Sequence, residues 1–299
     1  MTTVVALGGN ALIGPSERGT AAEQLANLRE TAKALAPVLQ GGERIVLTHG
    51  NGPQVGNELI RQERASEEAP QLPLWLAVAQ TQAEIGALIE AAFAPPVACV
   101  LTHVRVDPED AAFERPTKPI GPFYTEERAR ELERDRGWAV VQDAGRGWRR
   151  VVPSPEPLEI VELESIRALV EHGTTVVACG GGGIPVADEA GALRGIDAVI
   201  DKDRASALLA TQLPAETLLI LTAVPAVLRG FGTPEQEELR ELTVDEAEEF
   251  LAELAEGSMR PKVQAAAAFV RATGGEAVIT SAEALDEALD GRAGTRIHT

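Results

Sequence analysis

Short apolar runs bounded by glycine or aspartate alternate along the chain with longer stretches in which apolar residues recur every three to four positions. Runs of the first kind suit strands buried on both faces, and stretches of the second kind suit amphipathic helices. Their alternation predicts an α/β fold with a mostly parallel sheet. The pattern places strands at Thr3–Leu7, Arg44–Thr48, Val97–Thr102, Thr174–Ala178, Thr217–Thr222 and Glu276–Thr280. It places helices at Thr20–Gln40, Pro53–Ala65, Leu74–Phe93, Glu159–His172, Arg204–Gln212, Val244–Leu254, Pro261–Ala272 and Ala282–Leu289. Pro53 suits a first helical position and Gly173 a helix stop. The chain has no internal repeat and no low-complexity tail.

One region breaks the alternation. Between Asp107 and Pro157 lie Pro108, Pro116, Pro119, Pro122, Pro153, Pro155 and Pro157, with one short charged helix expected at Glu126–Arg134. Two apolar snippets, Trp138–Val141 and Trp148–Val152, suit a hairpin around Asp143-Ala144-Gly145-Arg146-Gly147. The region reads as an excursion from the main sheet, either a lid or an ordinary surface insertion.

Composition narrows the class. At 299 residues the chain can build a sizeable core and is expected to divide into two lobes. Hydrophobic residues make up 44% and the mean hydropathy is near zero, as in soluble globular proteins. Aromatics are only 3%, so the core must come from Ala, Leu, Val and Ile. No apolar run reaches the roughly 18 residues of a membrane span, and MTTVVALGGN lacks the basic start of a signal peptide. Cys99 and Cys179 stand far apart without metal-ligand spacing, which argues against a disulfide framework. The expected location is the cytoplasm.

The formal charge of −19 argues against nucleic acid or an anionic membrane as partner, and it repels an anionic substrate. The charge is uneven: Arg105 to Arg150 holds ten basic and ten acidic residues. Lysine usage is more telling still. There are 23 arginines and only four lysines, Lys33, Lys118, Lys202 and Lys262. Lys33 lies in an Ala/Leu-rich helical pattern and reads as a solvated surface residue. The others sit in PTKPIG, VIDKD and SMRPK, beside Pro, Asp or Gly. A compact ammonium on a flexible stem is something arginine's planar fork cannot replace, so these three are candidate functional groups.

Glycine turns follow several expected strands: Gly8-Gly9-Asn10, Gly50-Asn51-Gly52 and Gly180-Gly181-Gly182-Gly183, with a further turn after Leu221-Thr222. In an open parallel sheet these turns gather on the edge where ligands bind, and glycines let backbone N–H groups approach a phosphate closely. A lone pair of glycines is more often a structural turn; several on one edge are not. The common nucleotide motifs are missing. There is no GxxxxGK[ST], and Gly50–Gly56 is spaced GxGxxxG with no acid about 20 residues later. His49 beside Gly50 suits a structural hydrogen bond better than a catalytic base. Backbone N–H loops, lysines and Asp203 directly after Lys202 together suit phosphoryl transfer, where positioning and charge neutralisation do most of the work. Asp203 would hold ammonium groups apart and in register, or cap the helix expected from Arg204.

VVALGGNAL, THGNGPQVGN, PTKPIGPF, DAGRGWRRVVPSPEP, ACGGGGIPV, AVIDKDRAS and GSMRPKVQAA, in this order from Val4 to about Val270, resemble the carbamate kinases of the amino acid kinase family. The resemblance implies a three-layer α/β/α sandwich with a protruding subdomain at about 107–157. It also implies an N-terminal carbamate lobe over 1–214, a C-terminal nucleotide lobe over 215–299, and a homodimer. The reaction implied is reversible phosphoryl transfer between carbamoyl phosphate and Mg²⁺-ADP, giving ATP and carbamate.

Gly8, Gly9 and Asn10 match the loop that contacts the transferred phosphoryl group, and Gly50, Asn51 and Gly52 the loop on the carbamate side. Gly181 and Gly182 belong with this phosphate-binding backbone. Lys202 and Lys262 match the phosphate-neutralising lysines, Asp203 the acid that organises them, and Lys118 the subdomain lysine that reaches the carbamate site. Thr222, Met259 and Pro261 lie where the family walls the nucleotide pocket. Other amino acid kinases carry a lysine before the first glycine loop. Carbamate kinases do not, and here Ala6-Leu7 fills that place. One departure is Pro225–Gly230, where the family usually has an acidic residue and then an aromatic near the adenine. Two other readings stay open, a phosphotransferase for another small acid and a non-catalytic nucleotide-binding protein. Arg146, Arg149 and Arg150 suit either a positive gate or pairing with Asp143 and surface glutamates.

Overall fold

The structure, a computed structural model, describes residues 1–14, 17–94, 96–142, 147–254 and 259–299. The expected turn Asp143–Arg146 lies outside the described residues. An eight-stranded sheet runs in the order Glu241–Thr243, Thr295–His298, Glu276–Ser281, Thr217–Thr222, Thr2–Leu7, Arg44–His49, Thr175–Val177, Val97–Cys99. Its central strands are all parallel, with Val5 opposite both Leu219 and Leu47. Thr295–His298 is antiparallel to Glu276–Ser281.

Alternation along these strands builds two cores. Val4, Ala6, Val46, Leu218 and Ile220 pack under the helices Leu163–Glu171, Lys202–Gln212, Val244–Phe250 and Arg260–Thr273. Val5, Leu7, Ile45, Leu47, Leu219 and Leu221 face the opposite layer, with helices Ala21–Ala34, Leu74–Ala92 and Leu285–Leu289. Both faces of the sheet are therefore apolar, as a covered parallel sheet requires, and the three-layer α/β/α expectation holds. The carboxyl ends of the parallel strands meet at one edge, which brings the glycine turns after Leu7, His49 and Val177 together.

The proline-rich excursion is a three-stranded antiparallel sheet, Lys118–Tyr124, Trp148–Val152 and Ala139–Gln142. The expected hairpin is present, with Val141 opposite Arg149, and the charged helix runs Glu126–Arg136. Lys118–Tyr124 escaped the sequence reading because Pro119 and Pro122 read as breakers. Proline is tolerated here because the strand lies at the edge of its sheet and its register shifts between Ile120 and Tyr124.

Other boundaries differ for local reasons. The helix expected over Thr20–Gln40 is two, Ala21–Ala34 and Ala36–Gln40, divided at Leu35 just before Pro37. Val97–Thr102 is a strand only to Cys99; the chain then crosses to a second sheet as His103–Arg105. Glu159–His172 begins as a strand, Glu159–Ile160, and turns helical only at Leu163. The helix starting at Val244 stops at Phe250 rather than Leu254. The hairpin Ile184–Glu189 with Ala192–Gly195 was missed altogether.

The subdomain is seated on the helix Gly52–Arg64 by a close backbone approach, beside the apolar contacts of Val55 and Leu59 with Ile120 and Val152. A Cβ at Gly56 would fall on the backbone of Gly121, whose φ is +72°. The third glycine of GxGxxxG is thus a packing device rather than a dinucleotide fingerprint. Gly56→Ala must push the strand Lys118–Tyr124 off the helix. We expect a loss of about 1–3 kcal/mol, as for overpacked sites, read as a lower melting temperature. An unchanged melting temperature would show that this contact is slack.

Candidate active site

Two helices begin at the carboxyl edge with a lysine in their first turn. Lys202 opens Lys202–Gln212, and Lys262 lies in the first turn of Arg260–Thr273. A cation there opposes the helix dipole, so neither lysine serves helix stability. Asp203 offsets the cost. Its carboxylate accepts from Lys202 Nζ at 2.5 Å and from Lys262 Nζ at 3.2 Å, and it is only 3% exposed. Burial alone would raise the Asp203 pKa, but the two ammonium groups outweigh it and hold it below the usual carboxylate range. Burial pushes the Lys202 ammonium down, and Asp203 works against that shift.

The cap of the first helix is a correction to the sequence reading. Asp203 does not cap; Asp201 does, accepting from the N–H groups of Asp203 (2.9 Å) and Arg204 (3.4 Å). Its other oxygen accepts from Lys118 Nζ at 2.5 Å, which ties the subdomain to the helix. Burial would raise the Asp201 pKa as well, yet Lys118 and Lys202 drive it well below the carboxylate range. Behind the site, Thr48 Oγ1 lies 2.6 Å from Ser206 Oγ, and Ser206 donates to the Lys202 carbonyl at 2.6 Å. Since that carbonyl can only accept, Thr48 is the donor to Ser206. This buried chain pins the start of the helix to the sheet.

These groups line one cavity of about 270 Å³. Gly9, Gly50, Asn51, Gly52, Gly181, Lys118, Lys202, Asp203, Pro261 and Lys262 of the expected set all reach it. Asp201, Gln54 and Arg149 join them. Arg149 donates to the Gly121 carbonyl at 3.0 Å and lies over the Phe123 ring at 5.2 Å. Arg150 instead lies over the Trp138 ring at 4.5 Å, and Arg146 is outside the described residues. Four cations against two carboxylates leave the cavity net positive in a strongly acidic chain.

The remaining expected residues lie around this cavity. Gly182, with φ +93°, sits behind it, where a Cβ would strike the Ile200 carbonyl. Gly181, with φ +67°, leaves room for the Asn51 amide, which donates to Thr81 Oγ1 at 3.0 Å. Asn10 lies in the 3-10 turn Gly9–Ala11. Gly8 and Thr222 line a separate cleft of about 550 Å³. That cleft is larger, but Glu30, Glu283 and Asp286 against Lys33 give it the wrong sign for phosphate. Met259 precedes the helix that carries Lys262 and packs on the core. Among the described residues no cluster of His, Cys, Asp and Glu could hold a metal by itself.

The Amino acid kinase family profile matches residues 1–281. The chain belongs to the amino acid kinase family. Carbamate kinases are among its full-length relatives. The one from Thermococcus kodakarensis is 45% identical over 98% of this chain and 98% of its own. The one from Staphylococcus haemolyticus is 47% identical over the same shares. The structure of Giardia lamblia carbamate kinase bound to citric acid is 40% identical, covers 99% of this chain and 98% of that one, and superposes with a TM-score of 0.94. The same Giardia enzyme bound to AMP-PNP gives 0.90. Within the family the chain falls with these kinases, which are phosphoryl-transferring enzymes.

His49 directly precedes the Gly50–Gly52 turn. It is fully buried and donates from Nδ1 to the Gly50 carbonyl at 3.0 Å, the structural role expected for it. Nε2 has no partner. Burial first, and then the charge of Lys202, bring its pKa from 6.5 down to about 4. The folded protein therefore binds fewer protons than the unfolded chain between about pH 4 and 6.5, so stability falls as pH drops through that window. We expect His49→Asn, whose amide can donate to the same carbonyl, to flatten this segment of the stability–pH curve measured by denaturant titration. An unchanged slope would assign the acid sensitivity to other groups.

Proposed function

We propose that the protein transfers a phosphoryl group directly between carbamoyl phosphate and ADP, forming ATP and carbamate, and works chiefly in the ATP-forming direction. The observation that carries this reading is the Asp203 carboxylate shared by Lys202 and Lys262 in the cavity that also holds Lys118 and the Gly50–Gly52 turn. Each ammonium has three donors, so a lysine engaged by one carboxylate still has protons for phosphate oxygens. Charge on the transferring group is what such an arrangement neutralises. A cavity of about 270 Å³ sits at the small end of ligand pockets, in keeping with a substrate of a few heavy atoms. Among the described residues its lining offers no serine, cysteine or histidine, and lysines engage both carboxylates, which supports direct transfer without a covalent intermediate.

Gly9 and Asn10 begin a 3-10 turn whose later N–H groups, of Ala11, Leu12 and Ile13, return to the Gly8 and Gly9 carbonyls. The first N–H groups of such a turn have no partner within it. In this reading they and the Gly50–Gly52 backbone cradle the phosphoryl oxygens, with Gly181 and Gly182 shaping the floor. ADP enters as its Mg²⁺ complex, the metal bound mainly by the nucleotide's own phosphates, as is usual for Mg²⁺. Thr222, Met259 and Pro261 wall the nucleotide in the 215–299 lobe, and the 1–214 lobe takes the carbamate side. Lys118 and Arg149 bring the subdomain over that side as a lid. The protein works in the cytoplasm as a homodimer. Exposed Ala83 and Ala87 on Leu74–Ala92, beside the open edge strand Val97–Cys99, support the dimer.

With carbamoyl phosphate, Mg²⁺ and ADP the protein should form ATP; yields no higher than the non-enzymatic background would remove the proposal. Lys202→Ala and Lys262→Ala should each lower kcat about 100-fold or more with little change in KM. A rise in KM alone would mean the lysine only binds substrate. The first loop provides a separate test. A Cβ at Gly8 would meet the Leu221 carbonyl, whereas one at Gly9 has nothing within 4 Å. Gly8→Ala should therefore cost stability, and Gly9→Ala should keep its melting temperature while losing activity. Wild-type kinetics for Gly9→Ala would take that loop out of the phosphoryl site.

A further inference from the structure

Of the three lysines that line the cavity, only Lys118 comes from the subdomain. Its backbone lies at the root of that unit. Lys118 pairs with Val152, and the carbonyl of the next residue, Pro153, accepts from the Val199 N–H at 3.0 Å. The root is thereby docked on the segment that leads into the helix Lys202–Gln212. A lysine stem is a flexible four-carbon chain, so this backbone contact does not by itself place the ammonium.

Asp201 places it. One of its carboxylate oxygens accepts from the Asp203 and Arg204 N–H groups, and the other accepts from Lys118 Nζ at 2.5 Å. The Lys118 and Asp201 side chains are 26% and 13% exposed, so water screens the pair weakly. Asp203 holds Lys202 and Lys262 in the same way. Because the Asp203 N–H is itself held by Asp201, one helix start fixes all three ammonium groups relative to one another.

We propose that Asp201 is a positioning residue for phosphoryl transfer: it aims the Lys118 ammonium at the carbamoyl side of the substrate, in register with the two lysines that neutralise the phosphoryl group. The assignment rests on the function proposed above. An ammonium has three protons, so Lys118 can hold Asp201 and a substrate oxygen together. This role and simple charge predict opposite signs. Removing a carboxylate from the cavity favours an anion by Coulomb attraction, whereas removing the group that aims Lys118 disfavours it.

Asp201→Asn separates the tasks of the two oxygens. Its amide has a single acceptor oxygen, which the helix N–H groups hold, since asparagine caps as well as aspartate. The NH₂ then faces the ammonium, donor against donor. The melting temperature should stay close to that of the wild type. Carbamoylmethylphosphonate, a non-hydrolysable isostere of carbamoyl phosphate, should bind this variant about tenfold more weakly by calorimetry, the scale of one charge-assisted hydrogen bond. Asp201→Ser, which also caps but offers Lys118 no carboxylate, should lose as much. Lys118→Ala should lose at least as much again as the wild type loses in Asp201→Asn, and adding Asp201→Asn to it should cost no more than about twofold further. In ATP formation, kcat/KM for carbamoyl phosphate should follow the same pattern, with KM for ADP within about twofold of wild type.

Equal or tighter phosphonate binding by Asp201→Asn would overturn the assignment. A loss that persists in full on the Lys118→Ala background would do the same, because the effect would then lie on the helix or on Lys202. Absence of phosphonate binding by the wild type would overturn it as well. The reaction is judged separately. Coupled binding without ATP formation would remove the reaction and leave Asp201 as the group that aims Lys118, and ATP formation with additive losses would remove the role of Asp201 and leave the reaction in place.

Discussion

Two ammonium groups held by one buried carboxylate are the constraint on which the rest of the site depends. Lys202 and Lys262 come from different helices, and without Asp203 their mutual repulsion and the loss of hydration would drive them apart or deprotonate one of them. The fold meets this demand by starting both helices at the same sheet edge and by tying the first of them down with Thr48, Ser206 and the Asp201 cap. Charge neutralisation is therefore assembled before any anion arrives. An enzyme gains most from groups already in place when charge develops.

The same edge explains how a chain of net charge −19 can present a positive cavity. Acidic residues are spread over the helices and loops, where water screens them. The three lysines are collected from separate segments, the subdomain strand Lys118–Tyr124, the Asp201–Asp203 turn and the helix that begins at Arg260. Their selection is visible in composition because arginine fills nearly every other basic position.

The lysines and glycine turns were legible because each is a local signal, a rare residue or a short motif after an apolar run. The layered sheet was legible because periodicity is also local. What escaped depends on contacts distant in sequence. Asp201 and Asp203 are equally plausible caps in VIDKD, and only the arrival of Lys262 from 59 residues away decides which is free to cap. Gln54 looks like an ordinary polar helix residue until Gln24, 30 residues earlier, fixes its amide. The strand Lys118–Tyr124 was hidden by prolines that matter only if the strand is internal to a sheet, which sequence does not say.

The eight-stranded ladder also limits how the molecule can move. The chain passes from its first to its second proposed lobe near residue 214, yet Thr3 to Ala6 are hydrogen-bonded to the ladder of Thr217 to Ile220 just beyond. Bending there would tear the centre of the sheet. The two walls of the cleft accordingly form one elastic body, joined through the centre of the sheet.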